Sequence, residues 1–171
     1  MELNSKNIVL VGPMGCGKTT VGRRLARKLN QDFFDTDHEI INKTGVSIDH
    51  IFDIEGEEGF RQRESEVLKS LCDMNNIILA TGGGVVLLPQ NRLVLKRAGL
   101  VIYLSSSVEQ LFRRTSKSKT RPLLENSIDR KKTITEFVNA RDKYYREVST
   151  IVIDTTGKKL NEAIDIIMND L

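Results

Sequence analysis

The sequence predicts an α/β fold in which a parallel sheet is covered by helices on both faces, a three-layer α-β-α arrangement. Short runs rich in Val and Ile recur at Ile8 to Val11, Ile77 to Ala80, Val101 to Leu104 and Ile151 to Ile153, with a shorter candidate at Phe33-Phe34. Uninterrupted apolar runs of this length read as strands buried on both faces. Between them the spacing turns helical, as in Val21, Leu25 and Leu29, or Leu160, Ala163, Ile164, Ile167 and Met168. Strand alternating with helix builds a parallel sheet.

Each element has its own marker. The first strand ends at Val11, the glycine-rich stretch "GPMGCGKTT" follows, and a helix pattern begins near Lys18. Thr36 with Glu39, Ser107 with Gln110 and Thr133 with Glu136 carry capping-box spacing at expected helix starts. A long helical stretch runs from Asp129 to Val148, and "RRTSKSKTR", Arg113 to Arg121, holds five basic residues and no acid. Such a run ordinarily reads as a solvated face or a nucleic-acid patch.

The 171 residues and 39% hydrophobic content fit one domain, 1–171, with one buried core. The net charge of +3, from 26 basic and 23 acidic residues, suggests neither a nucleic-acid partner nor an anionic membrane surface. The N-terminus lacks the pattern of a secretory signal and no apolar stretch is long enough to span a bilayer, so a cytoplasmic protein is expected. Cys16 and Cys72 form no CxxC pattern and read as reduced thiols rather than a disulfide or a zinc site.

The chemistry begins in the opening loop. Gly12, Gly17, Lys18 and Thr19 satisfy GxxxxGK[ST] between a strand and a helix, the P-loop context that binds nucleoside triphosphates. Backbone amides from Gly15, Cys16, Gly17, Lys18, Thr19 and Thr20 are expected to wrap phosphate oxygens at the positive end of the helix. Lys18 neutralises charge at the β and γ phosphates and Thr19 offers a hydroxyl to magnesium. Cys16 fills a variable position, where alkylation would block the loop.

The rest of the chain decides the acceptor. The nearest match to the guanine-reading NKxD segment is Asn42-Lys43-Thr44-Gly45, with Gly where the acid belongs, which argues against a GTPase. Asp35 and Asp37 follow a strand; extended residues two apart face one side, so one carboxylate can assist the metal and the other accept a hydroxyl proton. Helix-start chemistry explains the same pair equally well. Gly82-Gly83-Gly84 ends another strand and reads as a ligand contact or a tight turn. Arg61, Arg63 and Arg141 suit a carboxylate or a phosphate, but their residue type alone selects none of them.

Taken in order, "GPMGCGKTT", "DTD" at Asp35 to Asp37, "FDIEGEEGFR" at Phe52 to Arg61, "ATGGGVV" at Ala80 to Val86, "RPLL" at Arg121 to Leu124, and Arg141 with "YYREV" make a chain that resembles the shikimate kinases. The resemblance implies the P-loop NTPase fold, a five-stranded parallel sheet of order 2-3-1-4-5 with a mobile lid over about 113–126 and a substrate segment over about 35–63. It implies transfer of the γ-phosphoryl group of ATP to the 3-hydroxyl of shikimate, with Mg2+, in a monomer. Asp37 then matches the candidate base, Arg61 and Arg141 the carboxylate clamp, Gly83 a backbone contact to substrate, Asp35 a residue near the metal and Arg121 a lid arginine reaching ATP. The family's R-x-P-L-Y reads Arg141-Asp142-Lys143-Tyr144-Tyr145 here, and loss of that proline predicts a straighter or longer helix. Rival expectations are a gluconate or nucleoside monophosphate kinase, which lacks the combination of DTD, Arg61 and triple glycine, and a silent nucleotide-binding module, which usually loses the Lys or Asp retained here.

Overall fold

The computed structural model describes residues 6–116, 122–125 and 127–171. In chain order the elements are β1 (Asn7–Val11), α1 (Lys18–Leu29), β2 (Asp32–Asp35), α2 (Thr36–Thr44), α3 (Ile48–Cys72), β3 (Ile77–Ala80) and α4 (Pro89–Arg97). There follow β4 (Gly99–Ser105), α5 (Val108–Thr115), α6 (Pro122–Glu125), α7 (Arg130–Val148), β5 (Ile151–Asp154) and α8 (Leu160–Asp170). All strand pairs are parallel, in the order β2-β3-β1-β4-β5, so the expected three-layer topology is the observed one.

The two-sided burial read from the Val/Ile runs divides the core in two. Val9, Val11, Ile77, Leu79, Val101 and Tyr103 face a cluster with Val67 and Leu68 of α3, Leu95 of α4 and Tyr145 of α7. Their sequence neighbours Ile8, Leu10, Ile78, Ile102 and Leu104 face Val21 and Leu25 of α1, Leu111 of α5 and Ile164 of α8. Helix α7 contributes Ile134 to the second cluster and Tyr145 to the first, and so wraps the edge of the sheet. Because the strands are parallel, their C-terminal ends share one edge, where open α/β sheets bind ligands.

Helix boundaries depart from the capping-box expectation at two of three places. Thr36 is the first residue of α2, and its cap is Asp35, whose side chain accepts from the N–H groups of Asp37 and His38. Ser107 caps α5 as its spacing predicts, accepting from Gln110 N at 3.3 Å. Thr133 lies inside α7, which starts at Arg130 under the cap of Asp129. The same helix runs unbroken through Arg141 to Tyr145, the extension that Lys143 in place of proline predicts. The segment "FDIEGEEGFR" lies in α3, which kinks at Gly56 (φ 69°, ψ −175°), a conformation that favours glycine.

Residues 117–121 and 126 lie outside the described residues, and Arg121 with them. Of the span expected as a lid, the described parts are the end of α5 and the short helix α6. Among the described residues no helix is long and apolar enough to cross a membrane.

Candidate active site

The loop from Gly12 to Gly17 is shaped by close approach. A side chain at Gly12 would place its Cβ 2.5 Å from the Leu104 carbonyl oxygen, and Gly17 caps α1 in the left-handed region at φ 99°. No side chain caps this helix, so its first-turn N–H groups are directed at the loop. Lys18, buried at 8% exposure, turns back across the loop and donates from Nζ to Gly12 O (2.7 Å) and Pro13 O (2.9 Å), near Cys16 Sγ (3.6 Å). Cys16 is itself buried, which opposes the expectation that a thiol reagent reaches it in the folded chain.

The two readings of Asp35 and Asp37 prove compatible. Asp35 ends β2 and caps α2 through Oδ1, while its Oδ2 accepts from Thr19 Oγ1 at 2.7 Å. Asp37 lies in the first turn of α2, so the pair spans a strand end and a helix start rather than one extended strand. Among the described residues no group of three or more His, Cys, Asp or Glu side chains gathers to hold a metal. Thr19 and Asp35 instead form an oxygen pair of the kind that holds Mg2+ when substrate phosphates and water complete its shell.

A second group of side chains surrounds the glycine turn after β3. Thr36 Oγ1 accepts from Gly82 N at 3.0 Å, which ties the turn to α2. Arg61 is 8% exposed and donates to Glu64 Oε2 at 2.8 Å and to Glu57 Oε1 at 3.3 Å. Burial pushes the Glu64 carboxyl above its ordinary value, against the opposing pull of the Arg61 guanidinium. Side chains at Gly82 and Gly84 would collide with Glu64 and Arg61 respectively, so both glycines provide room for this ion pair. Arg141, buried on α7, lies 4.4 Å over the Phe137 ring and makes no ion pair among the described residues. Arg63 points elsewhere and pairs with Glu55 at the surface (2.6 Å).

These groups line two cavities. The larger, about 470 Å³, is bounded by Gly15, Cys16, Gly17, Lys18, Thr19, Thr20, Asp35, Asp37 and Gly83 from the expected set. Arg114, from the basic stretch expected as part of the lid, also lines it, as do Thr155, Lys158 and Lys159, which had no motif to announce them. The smaller, about 90 Å³, is bounded by Asp37, Phe52, Arg61, Glu64, Gly83 and Arg141, among others. Asp37, Gly82 and Gly83 belong to both walls, so the cavities abut at a carboxylate and a side-chain-free turn.

The shikimate kinase family model matches residues 14–171. A shikimate kinase of Nitrosospira multiformis is 55% identical over 153 residues, 90% of this chain and 77% of its own length. One from Nitrosococcus oceani is 51% identical over 160 residues, 92% of this chain and 82% of its own. The solved shikimate kinase from Acinetobacter baumannii in complex with shikimate superposes with a TM-score of 0.93 at 44% identity, covering 96% of this chain and 91% of that one. With a phosphate loop, an arginine-lined second cavity and likeness over nearly the whole length, the chain belongs to the shikimate kinase family.

Proposed function

We propose that the larger cavity takes ATP and the smaller takes shikimate, and that the γ-phosphoryl group crosses where they meet. The chain is an ATP-dependent kinase of the shikimate kinase family, acting on small molecules. The observation that carries the assignment of sites is the shared wall of Asp37, Gly82 and Gly83. Phosphoryl transfer needs chiefly position and charge stabilisation, and two adjoining cavities with a cationic floor supply both.

In this reading Arg61 and Arg141 bind the shikimate carboxylate, and Gly83 meets the substrate through its backbone. That leaves the ring hydroxyls toward Asp37. The 3-hydroxyl oxygen attacks the γ-phosphorus, the bond to the bridging oxygen of ADP breaks, and the hydroxyl proton passes to Asp37. Lys18 exchanges its carbonyl partners for phosphate oxygens. Thr19 and Asp35 would hold a magnesium ion, which would supply neutralisation of phosphate charge. Arg121, outside the described residues, is assigned to the ATP phosphates by the family pattern alone, and the 113–126 span to the lid. Both cavities come from one chain, which supports a functional monomer, and dependence on ATP supports a cytoplasmic setting.

The test is ADP release from ATP and magnesium with shikimate, gluconate or a nucleoside monophosphate as acceptor. Shikimate-dependent turnover that falls by about 100-fold or more in Asp37→Asn is expected. Normal turnover in that variant removes Asp37 as the base, and turnover of another acceptor alone removes shikimate.

A further inference from the structure

The glycine turn after β3 leaves one of its carbonyls without a backbone partner. Gly82 O accepts from Val85 N (3.1 Å) and Gly84 O accepts from Leu87 N (3.0 Å). The carbonyl between them, Gly83 O, accepts instead from the Tyr145 hydroxyl at 2.5 Å. Tyr145 is fully buried in the core beneath the turn and stacks on Tyr103 with ring centroids 5.0 Å apart. Gly83 and Gly84 line the smaller cavity, whereas Tyr145 lies behind them.

Peptide geometry converts this contact into an orientation. The described chain has no cis peptide bonds, and in a planar trans peptide the C=O of one residue and the N–H of the next point in opposite directions. A Gly83 carbonyl held toward the core therefore turns the Gly84 N–H away from it, to the side of the cavity. Among the described residues neither Gly83 N–H nor Gly84 N–H makes a hydrogen bond. Two glycines could otherwise rotate this plane at little cost, since neither has a Cβ to restrict it.

We infer that Tyr145 is a positioning residue for the acceptor: its hydroxyl fixes the Gly83–Gly84 peptide so that the Gly84 N–H faces the substrate carboxylate beside Arg61 and Arg141. The inference rests on the smaller cavity being the acceptor site. Tyr145 also stands one helical turn after Arg141 on α7, so one helix face presents the clamp and orients the turn. Burial raises the proton affinity of the phenol, which keeps the hydroxyl a donor.

Wild-type turnover of shikimate is measured first, so that a wrong acceptor reading shows itself there and not in a variant. Tyr145→Phe is then compared with Tyr103→Phe, which removes the hydroxyl of the neighbouring core tyrosine, one that donates to Asp142 (2.7 Å) rather than to the turn. Tyr145→Phe is expected to raise the shikimate KM about tenfold, with the ATP KM within about twofold and Tyr103→Phe near wild type in both. A shikimate KM unchanged in Tyr145→Phe, or raised equally with that for ATP, overturns the inference. Amide exchange of the wild-type protein provides an arm independent of variant folding. Saturating shikimate should slow exchange at Gly84 N–H, and an unprotected Gly84 overturns the proposed orientation.

Discussion

Gly84→Ala separates backbone freedom from side-chain room. Gly84 sits at φ −93°, ψ 4°, a conformation alanine also adopts, so the substitution brings little backbone strain. Its new Cβ would instead overlap the Arg61 guanidinium, the end of a flexible side chain. That end must move, and moving it breaks the 2.8 Å bond to Glu64 and displaces the guanidinium proposed to clamp the acceptor's carboxylate. A charge-assisted hydrogen bond is worth about 1.5–3 kcal/mol, so a displaced clamp predicts a shikimate KM raised about 10- to 150-fold. The fold itself should lose about 1–3 kcal/mol, the usual range for overpacking. Coupled ADP-release assays give KM for both substrates, and thermal unfolding gives the stability. The decisive comparison is a double-mutant cycle with Arg61→Ala, in which the alanine at 84 should cost nothing further, because the colliding group has gone. A folded Gly84→Ala variant with wild-type shikimate KM would refute the steric argument. An undiminished penalty in the Arg61→Ala background would place the methyl against the acceptor itself.

Other perturbations address the nucleotide side and the thiols. Lys18→Ala should lower kcat by about 100-fold or more while shikimate binding without ATP, followed by calorimetry, stays near wild type. Asp35→Asn should raise the magnesium concentration needed for half-maximal rate; since Asn caps helices as well as Asp does, its thermal midpoint should hold. A fallen midpoint with unchanged magnesium dependence would reduce Asp35 to a cap. Burial pushes the Cys72 thiol up to about 12 from an ordinary 9.0, and Cys16 is 1% exposed, so a thiol reagent at pH 8 should label both far faster in denaturant than in the folded chain. Because the fold favours the protonated Cys72, the stability it contributes is complete below pH 9 and is lost between about 9 and 12; Cys72→Ala should flatten that part of the pH–stability curve.

What could be read from the sequence tracks how local each interaction is. The phosphate loop is contiguous, with glycines that act through backbone shape and a lysine whose side chain turns back over the same few residues, so the spacing alone identified it. Arg61 and Arg141 meet only after α3 and α7 pack on the same side of the sheet, and the residue type could not separate Arg61 from the solvent-facing Arg63. Glu64 passed unnoticed although it stands at i+3 from Arg61, the spacing of neighbours on one helix face. The kink at Gly56 shifts the phase of α3 midway, so no single apolar stripe announced that helix. Thr133 with Glu136 has the right spacing in the wrong place, because Asp129 offers an earlier cap. Thr155, Lys158 and Lys159 enter the larger cavity from the turn after β5, in a stretch with no pattern beyond its position.

The wall common to the two cavities also bears on ligand design. Only a carboxylate and two glycines are common to both linings, so the spaces proposed for donor and acceptor are parted by little side-chain bulk. A single molecule carrying an adenosine polyphosphate at one end and a cyclic hydroxy acid at the other could occupy both through a spacer a few atoms long. So short a tether gives the second half a high effective concentration once the first has bound, and affinity gained in this way requires both ends to fit at once. Lengthening the spacer step by step would gauge the distance between the two cavities.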